Sequence, residues 1–268
     1  MITDSQIEAW LREDLGHHDV TNDVPGETEG RLVAKEAGVV AGLDAATAVF
    51  AYLGCEIADA ATDGTRIDEG ETVLVVEGPA REVLRGERVA VNVTGHASGI
   101  ATRTRAAVDA AREVDPDVAI AATRKTTPGL RGIEKRAVAA GGGDTHRLDL
   151  SHMVMIKDNH VAELGLEEAV SRLRERTSFA TQIEVEVESP GDAERAAEAG
   201  ADIVLLDNLA PKEVATGVDL VGDEALTEAS GGITIADVPA YAETGVDVIS
   251  MGSLTHSAPA LDYSFRTG

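Results

Sequence analysis

After Pro116 the chain settles into one rhythm: a short apolar run, a polar loop, an amphipathic helix, and then the same again. The apolar runs fall at 118–122, 153–156, 183–187, 203–206, 225–229 and 246–251, and helical spacing predicts helices over 133–140, 166–176, 192–199, 211–216 and 235–244. Strands separated by a helix cannot pair as tight hairpins, so they lie parallel with the helices as crossovers. This half is therefore a parallel barrel or an open doubly wound sheet. In a barrel, all strand carboxyl ends converge on the face that carries the site.

The residues at those ends are chemically rich. Arg124 and Lys125 follow the first strand, Lys157 the second, Asp207 the fourth, Ser230-Gly231-Gly232 the fifth and Gly252-Ser253 the sixth, while Glu186 lies near the end of the third. That third strand alternates Ile183, Val185 and Val187 with Glu184, Glu186 and Glu188, which puts three carboxylates on one face. If helices cover the apolar face, the glutamates point inward and need cations or a metal beside them. An edge strand with a solvated glutamate face is the bland alternative. Glycine loops after the last two strands offer free backbone N–H groups suited to a phosphate, although a lone Gly-Gly there is ordinarily just a turn.

Charge points the same way. From Ile120 to His160 there are seven basic residues and four acidic ones, a local excess of +3 in a chain whose net charge is −25. Such an inversion of sign implies an anion to be held. Three of the five lysines, Lys125, Lys135 and Lys157, lie in this stretch. The acidic remainder argues against a nucleic-acid partner, since phosphate backbones are bound by basic faces. It also suggests a protein that works in high salt, where self-repulsion is screened.

The first half has a different pattern. Apolar spacing predicts a helix over 5–15, capped by Ser5 and stopped at Gly16, then strands over 31–41 and 71–77 with a helix over 43–53. Two long helices, broken near Gly95 to Gly99, are expected between Arg81 and Val114. Adjacent His17 and His18 lack a third ligand at a standard spacing and read as surface loop. No leader is expected behind Met1-Ile2-Thr3-Asp4, no window reads as a membrane span, and the single Cys55 fits a cytoplasmic protein.

The motifs TRKTTPGLR, GGGDTHRLDLSHMVMIKDNH, EVEVES, VLLDN, EASGGIT and ISMGSLTHSAPALDYS, preceded by EDLGHHDVT, together resemble the quinolinate phosphoribosyltransferase family over nearly the whole chain. The resemblance implies an N-terminal α/β sandwich and helical bridge over 1–100, an incomplete parallel α/β barrel over 101–253, and a tail over 254–268 that returns to the first domain. It implies transfer of phosphoribosyl from phosphoribosyl pyrophosphate to quinolinate with decarboxylation, giving nicotinate mononucleotide, pyrophosphate and CO2 with Mg2+ present. By the same resemblance Arg124, His146, Arg147 and Lys157 hold the quinolinate carboxylates, with Arg88 donated across a homodimer. Lys125, Lys157, Glu186 and Asp207 fall on catalytic positions, Glu186 and Asp207 on metal positions, and Ser230, Gly231, Gly232, Gly252 and Ser253 on the 5′-phosphate site. Three rival readings are an aldolase with Lys157 as Schiff-base lysine, a related enzyme that takes another nitrogen heterocycle or nicotinate without decarboxylation, and a non-enzymatic anion-binding protein.

Overall fold

Small residues, rather than a break, organise the middle of the chain. In the computed structural model, which describes residues 2–268, the expected pair of helices between Arg81 and Val114 is one helix, Ala80–Arg112. Met1, where the expected first domain begins, lies outside the described residues. A glycine inside a helix costs only about 1 kcal/mol relative to alanine, too little to break one packed along its length. Gly95 and Gly99 serve close approach instead: the Leu261 N–H donates to the Gly95 carbonyl at 2.9 Å, and a Cβ on Gly99 would collide with the Pro259 carbonyl.

Contacts divide the chain into two compact units. The first takes the chain up to Arg105, then Thr127–Gly142 and Ser257–Gly268. Its elements are α1 (Asp4–Leu15), β1 (Glu27–Ala34), β2 (Gly38–Val39), α2 (Leu43–Tyr52), β3 (Glu56–Ala60), β4 (Arg66–Ile67), β5 (Thr72–Pro79), most of α3 (Ala80–Arg112), α4 (Arg131–Ala140) and a last strand, Tyr263–Thr267. That last strand, β1, β5 and β3 form an antiparallel four-stranded sheet in that order. Leu32, Val40, Phe50, Leu74 and Val76 form its buried core. Thr3, not Ser5, caps α1, its hydroxyl accepting from the Gln6 N–H. The strand expected over 31–41 ends at Ala34, and Gly38–Val39 pairs with β4 in a separate ribbon. α4 groups with this unit although the expected boundary at 101 assigns it to the barrel half. The reason is local: Glu134 accepts from the Thr127 N–H and bonds His96, and Arg105 donates to the Gly141 carbonyl.

The second unit, Ala106–Thr126 and Gly143–His256, carries the strand–helix rhythm. It contains β6 (Ala119–Ala121), β7 (Val154–Ile156), α5 (Asp158–Leu164), α6 (Leu166–Arg176), β8 (Ile183–Val187), α7 (Pro190–Glu198), β9 (Ile203–Asp207), α8 (Pro211–Val221), β10 (Leu226–Ser230), α9 (Val238–Ala242), β11 (Val248–Ser250) and α10 (Ser253–His256). The strands form one parallel sheet in the order β6-β11-β10-β9-β8-β7. No ladder joins β6 to β7 among the described residues, so the barrel is incomplete. Its core is branched-aliphatic and alanine-rich, with Ile120, Ile156, Val185, Val204, Leu206 and Ile249 inside. The sequence pattern missed α5, and it made α9 too long, because Thr234 and Asp237 close a turn before that helix begins. Among the described residues, no helix is long and apolar enough to cross a membrane.

Candidate active site

Because β8 lies between β7 and β9, the edge-strand reading of its glutamates does not hold. Ile183, Val185 and Val187 are buried in the core, and Glu184 is fully buried on the opposite face. Exposure then grows along that row, with Glu186 half-buried and Glu188 exposed past the strand end. A parallel sheet brings the equivalent points of the neighbouring strands alongside. Lys157, one residue beyond β7, forms an ion pair with Glu186. Asp207 closes β9 and accepts a 2.6 Å hydrogen bond from the Asn208 side chain. Lys157 is part-exposed and paired with a carboxylate, not set in an apolar pocket or beside another cation as an activated Schiff-base lysine would be, which removes support for the aldolase reading.

The glycine loops follow on β10 and β11. The Ser250 hydroxyl donates to that of Ser230 at 2.9 Å and pins the two strand ends together. Gly231 has φ +101°, and a Cβ there would collide with the Asn208 side chain, so only glycine lets this turn pass. The backbone N–H groups of Gly231, Gly232, Gly252 and Ser253 donate to no carbonyl among the described residues, and the buried Ser253 hydroxyl has no partner there either. Lys125 reaches the same place: the Gly252 Cα leaves room for its side chain, and the Thr255 hydroxyl donates to its carbonyl at 2.7 Å.

The remaining cations come from the segment between β6 and β7. Asp144 is tied to β6 by backbone bonds to Ile120 and Ala122, and its side chain accepts from the His146 N–H at 2.5 Å. Arg147 is buried and donates to the Met155 sulfur at 3.2 Å, while its Nε and that of Arg124 have no hydrogen-bond partner among the described residues. Burial, and then the charge of Arg124, hold the Arg147 guanidinium below its ordinary value. Two desolvated cations side by side make a site that favours an anion. His146 and Asn208 are the two non-glycine residues with left-handed backbone among those described, at φ 50° and 56°. Sparsely populated backbone of this kind concentrates at functional sites.

Sequence reasoning missed the partners of His146. Its Nε2 lies 2.9 Å from Glu228 Oε2 on β10 and 3.5 Å from Glu184 Oε1 on β8. Burial works against protonation of His146, yet the two carboxylates outweigh it and push the imidazolium up to about 10. The carboxyl of Glu184 is raised by its own burial, with His146 opposing. His146, Glu184 and Glu228 also form a group whose ligand atoms lie within 4.8 Å of one another, whereas the sequence singled out Glu186 and Asp207 for a metal. Glu228 sits mid-strand in a run with no alternation, so only spatial neighbours could have flagged it. Arg88 lies on α3 in the other unit, with Glu87 at 3.4 Å. A groove of about 620 Å³ in that unit is lined by Trp10, Glu13, Asp14 and His96 among others, with no lysine or arginine, and cannot hold a multiply charged anion.

Residues 18–98 match the family model for the N-terminal domain of quinolinate phosphoribosyl transferase, and residues 100–266 match that for its C-terminal domain. A protein of Methanothermobacter thermautotrophicus named "probable nicotinate-nucleotide pyrophosphorylase [carboxylating]" is 46% identical over 270 residues, covering 97% of each chain. The human nicotinate-nucleotide pyrophosphorylase [carboxylating] is 43% identical, over 97% of this chain and 90% of its own. Among solved structures, NadC from Streptococcus pyogenes superposes with a TM-score of 0.94 at 39% identity, covering 100% of this chain and 98% of its own.

Proposed function

The chain belongs to the quinolinate phosphoribosyltransferase family, and from that premise we propose how its own residues carry out the reaction. The enzyme transfers phosphoribosyl from phosphoribosyl pyrophosphate to quinolinate and releases pyrophosphate and CO2. The observation that supports the following assignment is the meeting of buried cations, paired carboxylates and open backbone N–H groups at the six strand ends of one unit.

Arg124, Arg147, His146 and Lys157 hold the two carboxylates of quinolinate, and Arg88 joins them from a second copy in a homodimer. Guanidinium suits this task because it donates in a planar fork and does not give up its proton to the bound acid. The backbone of Ser230, Gly231, Gly232, Gly252 and Ser253 cradles the 5′-phosphate. Lys125, lying against Gly252, stabilises negative charge on the departing pyrophosphate. The ring nitrogen attacks C1′ as the bond from C1′ to pyrophosphate oxygen breaks, and Glu186 and Asp207 face the positive charge that develops on the ribose. The glycosylated nitrogen, now cationic, withdraws electrons from C2. The bond from C2 to its carboxylate then breaks, CO2 leaves, and the electron pair stays beside the positive nitrogen until a proton takes it up.

Glu186 and Asp207 also fit Mg2+ by donor type, since they are half-buried carboxylates at or near the ends of the adjacent strands β8 and β9 and hard cations prefer such donors. These two would hold the ion, which when bound would offset pyrophosphate charge. Lys157 must then exchange Glu186 for a substrate carboxylate, so its ion pair is the resting arrangement of a mobile cation. A cytoplasmic home is consistent with the single thiol, Cys55, which is buried and unpaired.

The test is an assay of purified protein with phosphoribosyl pyrophosphate and Mg2+, given quinolinate or nicotinate in parallel. Stoichiometric CO2 and nicotinate mononucleotide from quinolinate are expected. Turnover of nicotinate in preference, without CO2, would sink the assignment.

A further inference from the structure

Glu184 and Glu228 stand on β8 and β10, one on either side of β9, at 0% and 1% exposure. Buried carboxylates are costly unless a cation meets them. The cation here is His146, whose Nε2 faces both, at 3.5 Å and 2.9 Å. A neutral ring with its lone pair at Nε2 would be repelled from this position, so Nε2 carries a proton. Nδ1 has no hydrogen-bond partner among the described residues, and the ring is 11% exposed. With Nε2–H fixed by its hydrogen bond to Glu228, and Glu184 near it as a second carboxylate whose oxygens have no hydrogen-bond partner among the described residues, the charge of the ring decides whether Nδ1 accepts or donates. The other charged groups near the ring are Asp144, which takes the His146 backbone N–H, and Arg147, next in the chain and beside Arg124. The left-handed backbone at His146 is held in place from both sides, by Asp144 on its N–H and by Glu228 on its ring.

We propose that Glu228 and Glu184 are positioning residues that hold His146 as a standing imidazolium, with Nε2–H directed into the sheet, so that Nδ1–H is offered to a carboxylate of the pyridine substrate. The proposal rests on the family reading for the identity of that substrate. It makes His146 a fixed donor acting alongside Arg147, and excludes it as a general base. The imidazolium survives across neutral pH because two carboxylates outweigh the burial that opposes it. The same three side chains would also suit a transition-metal ion by donor type, so the experiment has to separate a proton from a metal.

The full-length enzyme and its Glu228→Gln variant, which keeps shape and removes one charge, are compared from pH 6 to pH 8. In the wild type, kcat/KM for quinolinate shows no ionisation from this histidine in that range. In the variant His146 returns toward the ordinary histidine value of about 6.5, and kcat/KM for quinolinate falls roughly tenfold across the range. The loss lies in KM for quinolinate, with kcat at saturation and KM for phosphoribosyl pyrophosphate held within about twofold. Glu228→Asp restores the flat profile. Independently of activity, 15N-imidazole NMR of the wild type, assigned with His146→Gln, shows the ring doubly protonated through pH 8. A flat profile in Glu228→Gln, or a wild-type His146 that titrates near 6.5, overturns the proposal. So does one equivalent of a transition metal in the purified wild type that is lost in the variant. A wild type that turns over no quinolinate removes the family reading instead, and the NMR titration still decides the charge of His146.

Discussion

Lys157 and Arg147 both bring positive charge to the strand ends, yet burial separates what each contributes. The Lys157 side chain is 44% exposed, so water screens it, and losing it costs near the lower end of the range for a truncated charge pair, about 2 kcal/mol or roughly thirtyfold in kcat/KM. Arg147 is 8% exposed, so its removal would leave the substrate carboxylate it is proposed to hold without that partner out of water, and Arg147→Ala is expected to lose about 3–5 kcal/mol. Steady-state kinetics with quinolinate give the order of the two variants; equal losses would mean that the two cations do not differ in desolvation. Glu186→Ala acts on a charge that exists only in the transition state and lowers kcat more than it raises KM for quinolinate. A rise in KM alone would move Glu186 from catalysis to substrate binding. His146 has a consequence for folding as well. Its native value of about 10 lies above the unfolded value, so between pH 6.5 and about 10 the folded chain holds a proton that the unfolded chain releases. The stability it contributes is complete below about pH 6.5 and lost as pH rises toward 10. Urea unfolding at pH 6.5 and pH 9.5 should show a loss that His146→Gln largely abolishes, and an equal loss in that variant would place the pH sensitivity elsewhere.

Among the elements, α3 depends most on residues without side chains. At Gly99 any Cβ collides with the Pro259 backbone, which cannot swing aside as a side chain could. Gly99→Val is expected to destabilise by about 2–3 kcal/mol, seen as a fall in Tm, because overpacking forces the backbone to move. Gly132 on α4 is the control. A Cβ there meets only the flexible end of Arg136 at 3.6 Å, and Gly132→Ala should be neutral or stabilising by up to about 1 kcal/mol. If both variants behave alike, the Pro259 approach is not what the small residue serves. The same helix shows where sequence reasoning reaches its limit. Periodicity reads what a chain does with its neighbours three or four residues away, so the six parallel strands and the helix at Leu166–Arg176 were legible. It is blind to a segment arriving from the far end of the chain, so glycines that admit Pro259 and Leu261, just before the last strand, were read as a break. The site divides in the same way. That Lys157, Glu186 and Asp207 lie at neighbouring strand ends was legible because parallel strand ends converge by topology, and that Glu228 faces His146 was not, because the two are 82 positions apart in sequence.

For the whole molecule, the net charge of −25 sets the protein against its own substrates, which are multiply charged anions. Two effects of salt then oppose each other. Added ions weaken the attraction between each bound anion and the site cations, but those contacts are short and several are desolvated, so screening reaches them poorly. The repulsion from the rest of the chain acts over longer distances. The screening length falls from about 10 Å at 0.1 M to about 3 Å at 1 M, which removes most of that repulsion. The long-range term therefore wins, and kcat/KM for phosphoribosyl pyrophosphate should rise roughly severalfold between 0.1 M and 1 M KCl. This is the reverse of the behaviour expected where a basic surface steers its ligand. Stability should rise over the same range, because self-repulsion opposes the compact state. Stopped-flow binding and thermal unfolding across a KCl series measure the two effects separately. A steady fall of kcat/KM with salt would mean that the local excess of +3 between Ile120 and His160 dominates the field that an arriving substrate meets, and that the acidic remainder does not influence its approach.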